Sequence, residues 1–344
     1  MRDTDVCVLV SDLEPSPRAD QACGGCFSHN ALLASPCFLL CVGYNYQEYL
    51  IGTQPDGYAF VPSIWGALDW GSMLVNASAP GGLMPTWGNS NGGTQYSMAR
   101  TAADEKGAGR RTLHAWLQNG DSGGGGGPYT HDNTVALPRD ISLGPRGDLH
   151  QAFVPELLAL RAGATSHVLQ PALSLPVNGA PVVLALSSNQ LEIVANFSLA
   201  SPGGGVSFGI FLHMDPAFSP TSARTAVGVR ADCAGARGTR SGAGDKAALL
   251  FFDRALTDAG EDTDMRGGPM PLAGCADNSA VSASLRCFLD GPLVECIVES
   301  GGDTTAISGH AHSLMAGVGL FASGGDGSVA VVTASVEAWG GLHL

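Results

Sequence analysis

Charge is scarce in this chain. Asp, Glu, Lys and Arg make up 14% of its 344 residues, and 17 basic residues face 31 acidic ones for a formal net charge of −14. Nucleic-acid binding rests on clustered Lys and Arg that neutralise phosphates. The adjacent pair Arg110-Arg111 reads as a solvated loop, so a nucleic-acid partner is excluded. Long apolar runs are also missing. The stretch "ALLASPCFLLCVGY" at 31–44 is broken by Pro36 and too short to span a bilayer, and it reads as a buried strand pair. The opening residues "MRDTDVCVLVSDLEPSPR" lack a basic region leading into an apolar core, so no secretory signal is predicted and the location of the protein stays open. A phosphate-cradling loop is missing as well. The glycines of "QNGDSGGGGGP" at 118–128 have no preceding strand, following helix or Lys, and read as a flexible surface loop.

Cysteine is present in an odd number, nine, with uneven spacing. Cys23-Gly-Gly-Cys26 lies near Cys37 and Cys41, which enclose an apolar run. Buried thiols are therefore expected there rather than a zinc site, and no metal or other cofactor is predicted. Cys233, Cys275, Cys287 and Cys296 allow disulfides whose pairing the sequence does not assign. Two triplets, Asn76-Ala-Ser78 and Asn196-Phe-Ser198, are acceptor sequences for N-linked sugar, which matter only in a secreted chain.

What the chain does have is 44% hydrophobic residues in short runs, punctuated by 48 Gly and 20 Pro. That is enough to bury a sizeable core, and it describes an all-β protein. Residues 1–30 are turn-rich and unassigned. From 31 to about 100, runs such as "FLLCVGY", "EYLIGTQ", "YAFVP" and "SMLVNAS" alternate with turns, a rhythm suited to propeller blades. "TVALPRDISLGPRGDLHQAF" reads as two strands about a turn. "VPELLALR" follows as a short helix or extended linker, with Pro155 at a first helical position.

Strand patterns then return in "QLEIVANFSL", "VSFGIFLH", "TAVGVRAD", "AALLFFDR" and "GSVAVVTASVEAW", with the hairpin "SLRCFLDGPLVECIVESGG" among them. These make seven or so strands, a β-sandwich with a boundary near 162. The hairpin turns at Asp290-Gly291, and its second run sets Glu295 among apolar neighbours. Glu295 is expected to be structural, with its carboxylate bonded to neighbouring backbone or hydroxyl groups between the two modules.

The order of these pieces resembles the C-terminal two-thirds of glycoside hydrolase family 32, the invertases and fructan hydrolases. "EYLIGTQPDGYAFVPS", "LDWGSMLVNAS" and "GGLMPTWGNSN" resemble successive strands of that family's propeller. "ALPRDISLGPRGDLHQAFVPELLALR" is similar to the segment that closes it. "AALLFFDRALTD" and "SLRCFLDGPLVECIVESGG" are similar to strands of its sandwich. The resemblance spans roughly residues 45–344. It implies an all-β fold, a partial five-bladed β-propeller over 31–161 followed by a β-sandwich over 162–344. It also implies hydrolysis of β-fructofuranosyl bonds in sucrose or fructans.

Such retaining chemistry needs two carboxyl groups set close across the scissile bond. The family's nucleophile motif, Asn-Asp-Pro-Asn-Gly, occurs nowhere in these residues, and His213-Met214-Asp215-Pro216 is only a superficial echo inside the sandwich. Arg2-Asp3 and Glu14-Pro15 match remnants of the second and third acidic motifs, but ten residues between Asp3 and Glu14 are too few for both. Glu14 is the candidate acid/base, with Pro15 where the family has Cys; the competing reading is an exposed turn residue. Asp69 matches a position that shapes the family's sugar site, and reads equally as a turn-capping carboxylate. Ser72 stands where plant members often carry the Lys that favours sucrose. Trp70 and Trp87 read as propeller core. The chain is thus expected to be a truncated or inactive member that binds sucrose or a fructan, with self-association possible through open sheet edges. The alternative is a non-catalytic carbohydrate-binding or interaction sandwich.

Overall fold

The computed structural model describes residues 133–143, 149–200, 205–233 apart from 216, 220 and 221, 248–256, 265–275, 279–310, 315–324 and 331–343. Before residue 133 it describes strand backbone at 47–52, 58–60, 68–69, 74–75, 81–84, 86–88, 94–103 and 110–119. Two compact units emerge. One is built from Met1–Trp87, Gln95–Gln118 and Asn133–Val154, the other from Gly88–Thr94, Asn119–Asp132 and Pro155–Leu344.

In the first unit, β1 (Gln47–Gly52) pairs antiparallel with both β2 (Tyr58–Phe60) and β5 (Gly81–Met84), while β3 (Leu68–Asp69) and β4 (Leu74–Val75) form a two-stranded ribbon. β6 (Thr86–Gly88) follows. A second sheet runs in the order β11-β10-β8-β7, from β7 (Thr94–Ala103), β8 (Arg111–Asn119), β10 (Arg139–Leu143) and β11 (Leu149–Phe153). The short β9 (Asn133–Val135) also pairs with β8. These are sheets of blade size. Alternation along β8 buries Leu113, Ala115 and Leu117. Arg139 is buried too, donating to Gln151 at 3.1 Å with its guanidinium over the Phe153 ring. Arg110 and Arg111 do not form the expected solvated loop. Both are partly buried, Arg111 as the first residue of β8 and Arg110 just ahead of it, paired to Asp140 at 2.7 Å.

The long segment of the second unit, from Pro155 onward, starts with a 3-10 helix, Pro155–Gly163, none of whose side chains is buried. The short helix expected at "VPELLALR" is therefore present in its tighter form. Two antiparallel sheets follow. One contains β12 (Ser166–Pro176), β14 (Gln190–Leu199), β19 (Val281–Asp290), β20 (Leu293–Ser300), β21 (Asp303–His310) and β23 (Val331–Gly340), in the order β12-β23-β14-β19-β20-β21. The other contains β13 (Val182–Ser187), β15 (Val206–Met214), β16 (Arg224–Ala231), β17 (Ala248–Leu256), β18 (Met265–Met270) and β22 (Gly317–Gly324), in the order β13-β22-β15-β16-β17-β18.

Inward alternation builds the core. Leu191, Ile193, Ala195 and Phe197 of β14 lie beside Ala283, Leu285 and Cys287 of β19, all buried. Phe197 meets Phe208 of β15 across the gap, with ring centroids 5.3 Å apart. The sandwich expected from the alternating runs is present, and the described residues from 155 onward give it twelve strands where the sequence suggested about seven. Among the described residues no helix is long and apolar enough to cross a membrane.

Candidate functional site

Of the two site residues that the sequence singled out, Glu14 lies outside the described residues. Asp69 is described as backbone only. It sits on β3 opposite Leu74, and its side chain is outside the described part. Trp70 and Ser72 lie outside it as well, as do Cys23, Cys26, Cys37 and Cys41. The described residues thus bring no pair of expected catalytic carboxylates together. His213-Met214 ends a sandwich strand, β15, in keeping with its dismissal as a catalytic motif.

The polar chemistry that is described lies in the second unit. The hairpin β19–β20 closes through the two-residue loop Gly291-Pro292. Gly291 takes a φ of 56°, the sign that primed hairpin turns require of their first loop position. From that loop the register places Cys287 opposite Cys296, and the two are joined by a disulfide; a second joins Cys233 to Cys275. Glu295 stands between Phe288 on β19 and Ser308 on β21, 2% exposed. Its burial agrees with a structural role.

The same row of the sheet continues through Glu192, opposite Phe288 on one side and Trp339 on the other. Glu192 is completely buried and held by two arginines. Arg161, from the 3-10 helix, donates Nε to Oε2 at 2.8 Å and Nη2 to Oε1 at 2.7 Å; Arg286 on β19 donates Nε to Oε1 at 2.7 Å. The Arg161 guanidinium also lies over the Trp339 ring, 3.6 Å from its centroid. Its hydrogen bond to Glu192 raises its pKa above the ordinary arginine value.

A planar fork meeting a carboxylate in two bonds while stacked on an indole is an arrangement that Lys could not reproduce. No substrate reaches a carboxylate at zero exposure, so this cluster fastens the helix to the sheet. The sequence carried a hint of it, since Glu192 sits between Leu191 and Ile193 much as Glu295 sits in its own run. Its partners lie 31 and 94 residues away and needed the strand pairing to be found.

His213 is the other buried polar group of note. A register shift between Phe211 and Met214 marks an irregularity in β15, and within it His213 takes a φ of 49°. Such bulges re-aim a side chain. Here Nε2 points at the carbonyl of Gly291 in the hairpin loop, 2.7 Å away. A carbonyl only accepts, so Nε2 carries the proton, and Nδ1 is buried with no partner. Burial lowers the pKa of the ring to about 4. Among the described residues no cluster of three or more His, Cys, Asp or Glu could hold a metal ion.

A blade-type unit followed by a two-sheet sandwich defines an all-β architecture, a partial propeller joined to a C-terminal sandwich. No family model and no curated protein matches the sequence. Solved structures do. Fructan 1-exohydrolase IIa from Cichorium intybus, in complex with 1-kestose, matches with a TM-score of 0.56 at 15% identity, over 89% of this chain and 59% of its own. The fructosyltransferase from A. japonicus matches at 0.55 and 15% identity, over 87% and 53%. Exo-inulinase from Aspergillus awamori matches at 0.51 and 17%, over 85% and 49%. The fold is therefore that of the C-terminal portion of family 32 enzymes, as the sequence resemblance implied. The chain spans between 49% and 59% of the length of these three.

Proposed function

We propose that this chain is a glycoside hydrolase family 32-like protein of carbohydrate metabolism. The activity of its scaffold is hydrolysis of β-fructofuranosyl bonds in sucrose or fructans, and these 344 residues alone are catalytically inactive. The likeness over 89% of the chain to an enzyme solved with 1-kestose carries the reading. Residues 31–161 are the partial propeller in it and 162–344 the sandwich, with 1–30 unassigned. Asp69 helps shape a fructosyl site, and Glu14 is the remaining acid/base candidate. The partner is a sucrose- or fructan-type sugar, and self-association runs through strand edges of the first unit.

The inactivity has a chemical basis. A retaining glycosidase needs nucleophile and acid/base acting as a unit, and losing either removes most of the rate. The sequence holds no Asn-Asp-Pro-Asn-Gly to supply the nucleophile. General acid catalysis alone is worth roughly 10²–10⁴-fold, so a surviving Glu14 does not substitute for it.

The test is fructose release from sucrose, inulin and levan by the purified chain, with Glu14→Gln as control. The expected result is no turnover beyond that control. Turnover well above it would overturn the inactive reading and restore a working carboxylate pair. Sugar retained at equilibrium without turnover would favour the second reading, a non-catalytic carbohydrate-binding protein. Two antiparallel sheets around a buried core among the described residues support that alternative.

A further inference from the structure

Asn196 and Ser198 belong to an acceptor triplet, Asn196-Phe197-Ser198, that the fructosyl reading leaves unused. The triplet lies on β14, a central strand of its sheet, with β19 on one side and β23 on the other. Strand alternation sorts its three residues. Phe197 points into the core, 2% exposed, while Asn196 is exposed and Ser198, two residues on, shares its face. The residues opposite Asn196 are small and hydroxylic, Ser284 on β19 and Ser335 on β23. One step along, Ser282 and Thr333 flank Ser198, and both are exposed. The direct cross-strand neighbours of Asn196 and Ser198 are thus all small hydroxylic side chains, in contrast to the row of Glu192, Phe288 and Glu295 on the same sheet, which is buried.

A second, independent observation concerns the compartment. Two disulfides, Cys233–Cys275 and Cys287–Cys296, hold this unit together. Such bonds form and persist in oxidising compartments, which include the one where N-linked sugar is transferred.

We infer that Asn196 is an N-glycosylation site of this protein. In the transfer, Nδ2 of Asn196 attacks C1 of an oligosaccharide carried on a polyprenyl pyrophosphate. The Nδ2–C1 bond forms and the C1–O bond to the pyrophosphate breaks. The lipid pyrophosphate leaves with that electron pair, and one amide proton goes to a base. Transfer precedes folding, so the later position on a strand does not hinder it. The folded state has only to tolerate the product, and it does. Nδ2 donates to Ser335 Oγ at 3.2 Å, and the glycosylated amide keeps one N–H for that bond. The sugar then lies over the hydroxyl-lined face and shields it from association.

The experiment uses the full chain purified from the cells that make it. Peptide-N-glycanase should increase electrophoretic mobility and convert Asn196 to Asp in the peptide mass spectrum. Ser198→Ala, which leaves Asn196 and its bond to Ser335 in place, should abolish both effects at this site while the variant still unfolds cooperatively. Asn196→Gln should do the same. An unmodified Asn196 peptide from the wild-type chain would overturn the inference. So would sugar confined to Asn76, because the argument rests on the face around β14.

Discussion

At the scale of single residues, His213 has the environment with the clearest thermodynamic consequence. The bulge in β15 turns its ring onto the Gly291 carbonyl, and burial holds its pKa near 4, below the ordinary 6.5. The unfolded chain takes up a proton as pH falls through 6.5, whereas the folded chain resists until about 4. Stability from this group is therefore complete above 6.5 and declines as pH falls through that window. At pH 5 the loss should be about 2 kcal/mol, from 1.36 kcal/mol per pKa unit. Gln at 213 keeps an amide donor for Gly291 and cannot titrate. Urea unfolding of wild type and His213→Gln at pH 7 and pH 5 should show the wild type losing about 2 kcal/mol more than the variant. Parallel losses would mean that the ring is solvated in the native state.

At the scale of elements, the two disulfides close loops of different size. Cys287 and Cys296 are 9 residues apart in one hairpin, whereas Cys233 and Cys275 are 42 apart and bracket β17 and β18. Chain-entropy arguments assign about 3 kcal/mol to the first and about 4 kcal/mol to the second. Paired Cys→Ala variants, compared by urea unfolding, should rank in that order. If the hairpin pair cost more, local packing would outweigh loop closure.

The hairpin also shows how far sequence carries. Its strands were legible from alternation, and Asp290-Gly291 marked the turn one residue early: Asp290 ends β19 opposite Leu293, because the positive φ that the first loop position needs falls to Gly291. That shift matters for the cysteines: counting outward from Asp290-Gly291 sets Cys287 opposite Val294, and only the loop Gly291-Pro292 brings it opposite Cys296. β12, β13, β18, β21 and β22 were not read from the sequence. β12 carries Pro171, and β18 and β22 are rich in Gly, residues that weaken a strand signal. Close packing explains some of these glycines. Gly309 on β21 lies against the Phe252 ring, where an added Cβ would stand 2.6 Å from two ring carbons. Gly267 on β18 takes a φ of 145°, with the Leu250 carbonyl where a Cβ would go. The partners that make glycine necessary are distant in sequence, so a local pattern does not reveal them. The Glu192 cluster was hidden for the same reason, whereas Glu295 was visible as a lone carboxylate in an apolar run.

At the scale of the whole molecule, the sandwich should be an autonomous folding unit, provided that its first helix is kept. A fragment beginning at Pro155 retains Arg161 against Glu192 and Trp339. One beginning at residue 165 leaves the buried carboxylate with Arg286 alone among the two arginines. Removing one partner of a buried pair costs several kcal/mol. Because the Arg161 side chain is 27% exposed, the expected difference is about 3 kcal/mol. Both fragments should show β-type circular dichroism and a cooperative urea transition, with the longer one the more stable. A helical spectrum, or no transition in the longer fragment, would sink the claim of autonomy.

The strand order carries a consequence for how this unit is made. β23 lies between β12 and β14, and β22 lies between β13 and β15. Neither sheet is therefore completed by adding a strand to its edge; each is closed by a late strand entering its interior. On the ribosome, β12 and β13 emerge early and stay without that neighbour until residues up to 340 have been synthesised. At about 5–20 residues per second, the wait is on the order of ten seconds. During that interval the nascent module exposes two open seams, the surfaces on which holding chaperones act. A lesion that removes β22 and β23 would thus split both sheets rather than trim them, and the product would be a degradation substrate rather than a slightly shorter protein.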